Sequence, residues 1–155
     1  MTTFVGDFPV KVDAKGRILF PAAFKKQLNE AAEDRFVVKK DMFSNCLILY
    51  PYDEWLRQVK IIRSRINPYN KTHAQFLRQF YKGTAEVSLD SNGKLSIPKR
   101  LLEIVGIKKD MTMAGQDGKI ELWDTSAYQS EGLSEEDFSK LGEELLGFGN
   151  FNDLD

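Results

Sequence analysis

The residue types with the clearest chemical potential are an aspartate, a glycine and a cation that recur in two short segments. The first segment reads VDAKGRILFPAAF at residues 12–24, and the second reads LDSNGKLSIPKRL at residues 89–101. Asp13 and Asp90 are 77 residues apart, and the glycine, the cation and the proline that follow keep the same offset. A cation at a fixed place on a repeated turn is suited to contact a polyanion such as nucleic acid.

Both segments contain the residue types that close a tight hairpin. Asp13 and Asp90 can accept hydrogen bonds from backbone N–H groups a few residues later. Gly16 and Gly93 accept the positive φ that such turns require. We therefore predict that these four residues shape the turns and do not face an anionic ligand. The alternative for the first turn is an internal ion pair between Asp13 and Arg17 that has no function.

Each copy predicts the same order of elements: strand, tight turn, strand, short helix, strand, loop and strand. Pro21 and Pro98 suit the first position of a helix, where proline needs no N–H partner. Further along, LILYPYDEW at residues 47–55 aligns with IELWDTSAY at residues 120–128 at an offset of 73, so the loop is shorter in the second copy. A fixed-period repeat of this kind indicates one architecture built twice.

Between the copies the sequence predicts two helices. The first carries an apolar stripe at helical spacing, Trp55, Val59, Ile62 and Ile66. NPYN at residues 67–70 interrupts it, and a second helix is expected at about residues 71–82. Aromatic residues at this spacing usually pack against another surface. We predict that Trp55, Phe76 and Phe80 lie in inter-domain or inter-subunit contacts.

The charges are divided unevenly along the chain. The net charge is −1, but residues 1–115 hold 20 Lys and Arg against 12 Asp and Glu, whereas residues 116–155 hold 2 against 11. Residues 57–82 carry seven basic side chains and no acidic one. This pattern indicates a basic body followed by an acidic tail. Ser134 opens a capping-box-like motif, which predicts a short amphipathic helix, and we expect fraying beyond residue 147.

The residue types give little support to catalysis, to a metal site or to a membrane segment. His73 and Cys46 are the single histidine and cysteine, too few for a typical zinc site. The sequence has no glycine-rich phosphate loop before a helix, and its apolar runs are too short for a bilayer. It also lacks a signal-peptide pattern at the N-terminus. We expect no enzyme activity, no cofactor and no metal.

The doubled turn, followed in order by CLILYPYDEW, FLRQFYKGTAEVSLD and IELWD, resembles the MraZ family of bacterial transcriptional regulators. The resemblance covers about residues 4–128. It implies an α+β fold, mostly β, in which two pseudo-symmetric AbrB-like swapped-hairpin units form a double-psi-like, small barrel module with short helices. The implied organisation is a first AbrB-like domain at residues 7–54, a helical connector at 55–83, a second AbrB-like domain at 84–127 and an acidic C-terminal tail at 128–155.

The resemblance also implies a function and partners. Members of the family form ring-shaped homo-oligomers, often octamers. They bind double-stranded promoter DNA at short direct repeats upstream of their own gene, in the division and cell wall cluster. A protein of this kind would lie in the cytoplasm, associated with the nucleoid, and would have no membrane partner. The family motif is matched by Asp13 and Arg17 in the first copy and by Asp90 in the second.

We assign the DNA contacts to Arg17, Lys15, Lys94 and Lys11. Arginine offers a planar fork that fits guanine or a phosphate through two bonds, so Arg17 is the candidate base reader or bidentate phosphate contact. Lys94 occupies the arginine position of the second copy and offers a point charge for the DNA backbone. Lys15, in the first turn, can add a phosphate contact; Asn92 is its counterpart.

Two other functions remain open at this stage. The chain could be an oligomeric scaffold that binds a protein partner, and not DNA, through its acidic tail or aromatic helices. It could also be an AbrB-like antitoxin. The antitoxin fits less well, because such proteins normally carry one AbrB-like unit and a toxin-binding tail, whereas two units occur here in tandem.

Overall fold

The fold follows the repeat of the sequence. The computed structural model describes residues 3–147. The first copy forms β1 (Asp7–Lys11), β2 (Arg17–Leu19), α1 (Ala22–Gln27), a 3-10 turn (Glu30–Ala32), β3 (Arg35–Lys40) and β4 (Leu47–Pro51). The connector forms α2 (Tyr52–Arg65) and α3 (Lys71–Tyr81). The second copy forms β5 (Ala85–Ser88), β6 (Lys94–Ser96), α4 (Lys99–Ile104), β7 (Asp110–Gln116) and β8 (Lys119–Asp124), and α5 (Thr125–Ser130) and α6 (Glu135–Leu146) follow.

The strands of the two copies interleave in one antiparallel sheet. Its order is β1-β7-β8-β4-β3-β5, and β2 pairs with β6 in a separate two-stranded ribbon. The first strand of each copy pairs with a strand of the other copy: β1 pairs with β7, and β5 pairs with β3. Exchanging each strand for its counterpart in the other copy reproduces the same order in reverse. The arrangement therefore has a pseudo-two-fold axis that passes between β4 and β8.

This architecture confirms the α+β class, with a mostly antiparallel sheet and short helices. It departs from the prediction in one respect. Over residues 3–147 the sheet is open and ends at β1 and β5, and the expected small barrel is not closed. Hydrophobic alternation predicts strands but does not determine whether the two end strands of a sheet meet, because closure depends on tilt and stagger.

The main core is built from side chains of both copies. Phe24 of α1 is fully buried. The centroid of its ring lies 5.6 Å from that of Phe4 and 4.9 Å from that of Phe8, and both pairs are edge-to-face. From the second copy, Leu101 of α4 and Met113 of β7 join the same cluster. Burial of apolar area is the dominant favourable contribution to folding, so the two copies stabilise each other.

A second cluster packs the connector helices against the sheet. Val37 and Tyr50 point into it, whereas their strand neighbours Val38 and Leu49 point into the main core. Trp55 of α2 belongs to the same cluster. This second cluster therefore lies on the opposite face of the sheet.

Within the second cluster, Trp55 and Phe80 are each 8% exposed, and their rings stack with centroids 5.6 Å apart. Phe76 lies on the outer side of the stack and is 42% exposed. The structure thus places two of these three aromatic residues between the connector and the sheet of the same chain. Their participation in contacts between subunits stays a prediction.

The C-terminal helix α6 begins where its capping motif predicts. The Ser134 hydroxyl accepts a hydrogen bond from the Asp137 N–H at 3.1 Å, which satisfies one free donor of the first turn. The fraying expected beyond residue 147 lies outside the described residues. Within residues 3–147, none of the helices combines the length and the apolarity that crossing a bilayer would require.

Candidate nucleic-acid interface

The first repeated turn is held by the Asp13 carboxylate. Its Oδ1 accepts hydrogen bonds from the backbone N–H groups of Lys15 and Arg17, each at 2.9 Å. The Asp13 N–H donates to the Arg17 carbonyl at 3.0 Å, and the Gly16 N–H donates to the Asp13 carbonyl at 3.0 Å. These four bonds fix the loop between β1 and β2 as an Asx turn.

The second turn repeats the same hydrogen bonds with different side chains. Oδ1 of Asp90 accepts from the N–H groups of Asn92 at 2.8 Å and Lys94 at 2.9 Å. The Asp90 N–H donates to the Lys94 carbonyl at 2.9 Å, and the Gly93 N–H donates to the Asp90 carbonyl at 3.0 Å. The repeat in the sequence is therefore a repeat in backbone geometry.

The glycines of the two turns differ in the space around them. Gly16 and Gly93 both have positive φ, +81° and +76°. A Cβ atom at Gly16 would lie 2.6 Å from the Ile97 carbonyl oxygen, whereas one at Gly93 would meet only the Leu19 side chain, at 3.9 Å. The first turn therefore lies directly against the backbone that follows β6. The glycine carbonyls do not differ in this way: that of Gly16 accepts a hydrogen bond from the Ile97 N–H at 2.9 Å, and that of Gly93 accepts one from the Phe20 N–H at 3.0 Å.

The ribbon of β2 and β6 brings the cations of the two turns onto one surface. Arg17 is paired with Ser96, and Leu19 is paired with Lys94. Between these pairs, Ile18 and Leu95 face each other and are buried in the main core. Because strand side chains alternate between faces, the four flanking side chains share the outer side. We call this surface the ribbon face; it consists of Arg17, Leu19, Lys94 and Ser96.

The two cations are diagonal neighbours on the ribbon face. Residues in this relationship in an antiparallel pair have Cα atoms about 7–8 Å apart. Leu19 is 62% exposed, so the ribbon face also presents an apolar patch beside the positive charges. Leu19 and Ser96 are not among the contacts predicted from the sequence. Both follow their cation by two positions in the repeat, and that alternation was the available signal.

Arg17 is held in place by the carboxylate of its own turn. Its Nε donates to Asp13 Oδ2 at 2.8 Å, and both side chains are more than one third exposed. No hydrogen bond from its two Nη groups is found among residues 3–147. The ion pair orients the guanidinium, and its outer edge keeps the donors of a bidentate contact.

The pKa of each turn carboxyl group is lowered by the turn itself. The backbone N–H of Arg17, with smaller contributions from the Arg17 side chain and the Lys15 N–H, holds the pKa of Asp13 at about 2. The backbone N–H of Lys94 lowers the pKa of Asp90, and the charges of Lys94 and Arg17 act in the same direction. Both groups are therefore ionised at neutral pH.

The remaining predicted contacts lie close to the first turn but differ in their surroundings. Lys15 is exposed at the tip of the turn. Lys11, at the end of β1, is exposed and forms an ion pair with Asp110 of β7. The structure therefore brings Arg17 and Lys94 together on the ribbon face, with Lys15 on the adjoining turn, while Lys11 is partly neutralised by a neighbouring strand.

The side chains that could ligate a metal ion are dispersed over the described residues. Within residues 3–147, no group of three His, Cys, Asp or Glu side chains is placed to hold a metal ion. His73 is used locally: its Nδ1 accepts a hydrogen bond from the Asn67 N–H at 2.9 Å in the turn between α2 and α3.

Comparison with known proteins gives a consistent result over the whole chain. A family model described as "MraZ protein, putative antitoxin-like" matches residues 3–79 and again residues 80–149. The protein "Transcriptional regulator MraZ" of Bacteroides thetaiotaomicron is 40% identical over 99% of this chain and 98% of its own length. Proteins of the same name from Christiangramia forsetii and Flavobacterium psychrophilum are 39% and 38% identical, over 98% and 99% of this chain and 98% and 96% of their own lengths.

Proposed function

The chain belongs to the MraZ family, and we propose that it regulates transcription by binding double-stranded promoter DNA through the ribbon face. The observation that carries the proposal is the placement of Arg17 and Lys94 on one exposed surface. Each lies at the same position of a repeated, hydrogen-bonded turn. Such a surface places two positive charges at fixed positions relative to the phosphates of DNA.

The cations of the ribbon face have different roles in this proposal. Arg17, oriented by Asp13, contacts a guanine edge or a phosphate through its two Nη groups. Lys94 attracts the DNA backbone as a point charge, and Lys15 adds a phosphate contact from the tip of the first turn. Lys11 contributes least to DNA binding, because a phosphate must compete with Asp110 for this side chain.

One ribbon face cannot supply tight or selective binding by itself. A few Lys and Arg contacts provide attraction that depends on salt and is nearly independent of sequence. We therefore include in the proposal a ring-shaped homo-oligomer that presents several ribbon faces to direct repeats upstream of its own gene, in the division and cell wall cluster. Each bound repeat raises the effective concentration of the next contact. The resemblance of the doubled turn to the MraZ family supports this part of the proposal. We propose further that the protein lies in the cytoplasm, associated with the nucleoid.

The test measures binding of the full chain to a labelled duplex taken from upstream of its own gene, by fluorescence anisotropy at several salt concentrations. Arg17→Ala and Lys94→Ala should each weaken binding and reduce the slope of log affinity against log salt by about one for each ribbon face that contacts the duplex. Lys60→Ala removes an exposed cation of α2, on the face of the sheet opposite the main core, and should change neither quantity.

Circular dichroism and light scattering establish that the variants keep their fold and oligomer size. If both ribbon variants bind DNA as the parent protein does, the assignment of the ribbon face is wrong. If the parent protein retains no repeat-bearing duplex at physiological salt, the scaffold function replaces the proposed one.

A further inference from the structure

An apolar groove opens between α3, α4 and the connection from β3 to β4. It has a volume of about 660 Å³. Its floor is formed by Met42, Phe76, Phe80, Leu101 and Ile104. Three of these side chains are well exposed: Met42 by 52%, Phe76 by 42% and Ile104 by 55%. Apolar side chains exposed together in a concave surface are typical of a binding site for another apolar surface.

The rim of the groove is strongly basic. Its charged residues are Lys39, Lys40, Asp41, Lys82 and Arg100. Lys39 is 7% exposed, and its Nζ donates to the Phe80 carbonyl at 2.7 Å and lies 3.4 Å from the centre of the Phe80 ring. Burial lowers the pKa of Lys39 to about 8. Lys40, Lys82 and Arg100 are the exposed cations of this rim, so these three can pair with an acidic partner, whereas Lys39 is buried.

Helix α6 has the complementary pattern. Phe138, Leu141 and Leu145 follow one stripe of the helix and are exposed by 71%, 42% and 68%. The acidic residues of the helix are Glu135, Glu136, Asp137, Glu143 and Glu144. Lys140 is its single basic residue and already pairs with Glu136. None of the residues of α6 is buried, so the apolar stripe is uncovered in the described chain.

We propose that α6 of one copy of this chain binds in the groove of a second copy. The apolar stripe covers the floor between α3 and α4, and the carboxylates lie against the basic rim. The complementary charges favour this occupant and align it, because like charges at either surface would repel. The 12-residue helix is about 18 Å long. In its own chain, α6 does not line the groove.

This contact is heterologous, since helix and groove are different surfaces of the same chain. Each copy therefore presents one of each, and copies can join in series. The inference deepens the proposed function by naming a contact for its assembly, and it needs no DNA for its test. It also gives the acidic tail a role in assembly.

The first test is disulfide trapping between two full-length chains that carry different single substitutions. Ile104→Cys places a thiol on the groove floor, and Leu145→Cys places one on the apolar stripe of α6. Mixed under mild oxidation, they should form the mixed disulfide in at least about tenfold higher yield than the control pair, because binding raises the effective concentration of the two thiols. Tyr69→Cys with Leu145→Cys is the control, because Tyr69 is 95% exposed in the turn between α2 and α3.

The native Cys46 does not interfere with this test, because it is buried and its burial raises its pKa to about 12. Equal yields in the two mixtures would overturn the proposal. A chain carrying both Ile104→Cys and Leu145→Cys that closes within itself at high dilution would also overturn it, because α6 would then occupy its own groove.

The second test measures assembly without cross-linking. Phe138→Ser removes the largest side chain of the apolar stripe from an exposed position, so the chain should fold normally. Light scattering over a dilution series measures the protein concentration at which the assemblies dissociate. For this variant that concentration should be at least about tenfold higher than for the parent protein. Ser139→Ala, on the same helix, should behave as the parent does. An unchanged assembly in the Phe138→Ser variant would contradict the docking of α6.

Discussion

At the scale of single residues, the two cations of the ribbon face have different surroundings. Arg17 forms an ion pair with Asp13 through its Nε, whereas no ion pair joins Lys94 Nζ to Asp90 among residues 3–147. An exposed ion pair contributes little to stability. Its effect here is on orientation, because a guanidinium held at one edge presents the opposite edge in a fixed direction. In the proposed function, the first copy therefore supplies the directional contact and the second supplies attraction.

This difference predicts unequal effects on DNA selectivity. Arg17→Lys keeps the charge but removes the fork, and it should lower affinity for the repeat-bearing duplex by about 1–3 kcal/mol while changing affinity for a scrambled duplex much less. Lys94→Ala should weaken binding to both duplexes by a similar factor. Competition anisotropy with the two duplexes measures the ratio. Equal losses for both duplexes in Arg17→Lys would show that Arg17 contacts only phosphate.

The Asp13 carboxyl group predicts a pH effect on folding. Its pKa is about 2 in the folded chain against an ordinary value of 3.8, so the folded state binds its proton less readily than the unfolded state. Asp13 therefore stabilises the fold fully above about pH 4 and loses this contribution as pH falls toward 2. Asp13→Asn should have a lower urea midpoint than the parent at pH 6, and the difference should shrink at pH 2.5. A constant difference across this range would contradict the linkage.

At the scale of elements, the glycine of each turn gives a matched comparison. Both positions have positive φ, which costs an alanine roughly 1–2 kcal/mol, so Gly93→Ala should lose about that much stability. Gly16→Ala should lose more, because its Cβ would collide with the Ile97 carbonyl and displace the backbone that follows β6. Urea unfolding of both variants measures the order. Equal losses would mean that the contact with Ile97 relaxes freely.

Local elements could be predicted well because their signals are local. The turn chemistry, the starts of α1 and α4 and the extent of α3 all depend on residues within one or two turns of each other. The two helices begin one residue later than predicted, because Pro21 and Pro98 are the N-cap residues and not the first helical ones. The difference in burial between Phe76 and Phe80 could not be predicted in the same way. Both lie on one face of α3, and only the packing against Trp55 decides which of them is buried.

The ribbon face could be predicted only in part from the sequence. The sequence indicates two turns with two cations, but it does not say that β2 pairs with β6. That pairing joins residues far apart in the chain, and its register is fixed by the burial of Ile18 against Leu95 in a core shared by both copies. Leu19 becomes a surface residue only as a consequence of this register.

At the scale of the whole molecule, the two copies exchange strands. β1 finds its partner β7 in the second copy, and β5 finds its partner β3 in the first. The sequence repeat predicts two similar units, but an exchanged and an unexchanged pairing have the same local pattern. The structure shows the exchanged pairing, with the connection between the copies running through α2 and α3 on the opposite face of the sheet.

This exchange predicts that neither half folds alone. A fragment of residues 1–83 retains the β3–β4 hairpin but lacks the strands beside β1, β3 and β4. It also lacks about half of the main core, including Leu101 and Met113. Such small units bury too little apolar surface for independent stability. By circular dichroism, the fragments 1–83 and 84–155 should each show little sheet and no cooperative thermal transition.

Mixing the two fragments should restore the sheet, because every missing strand partner is supplied by the other fragment. The ribbon face needs β2 from one fragment and β6 from the other, so DNA binding should return together with the sheet signal. Full-length protein at the same concentration is the control. If fragment 1–83 alone gives the full sheet signal, its strands pair without the second copy, and the exchange is not required for folding. If the mixture recovers the sheet but not DNA binding, the fold is restored without the ribbon pairing or the DNA site lies elsewhere on the molecule.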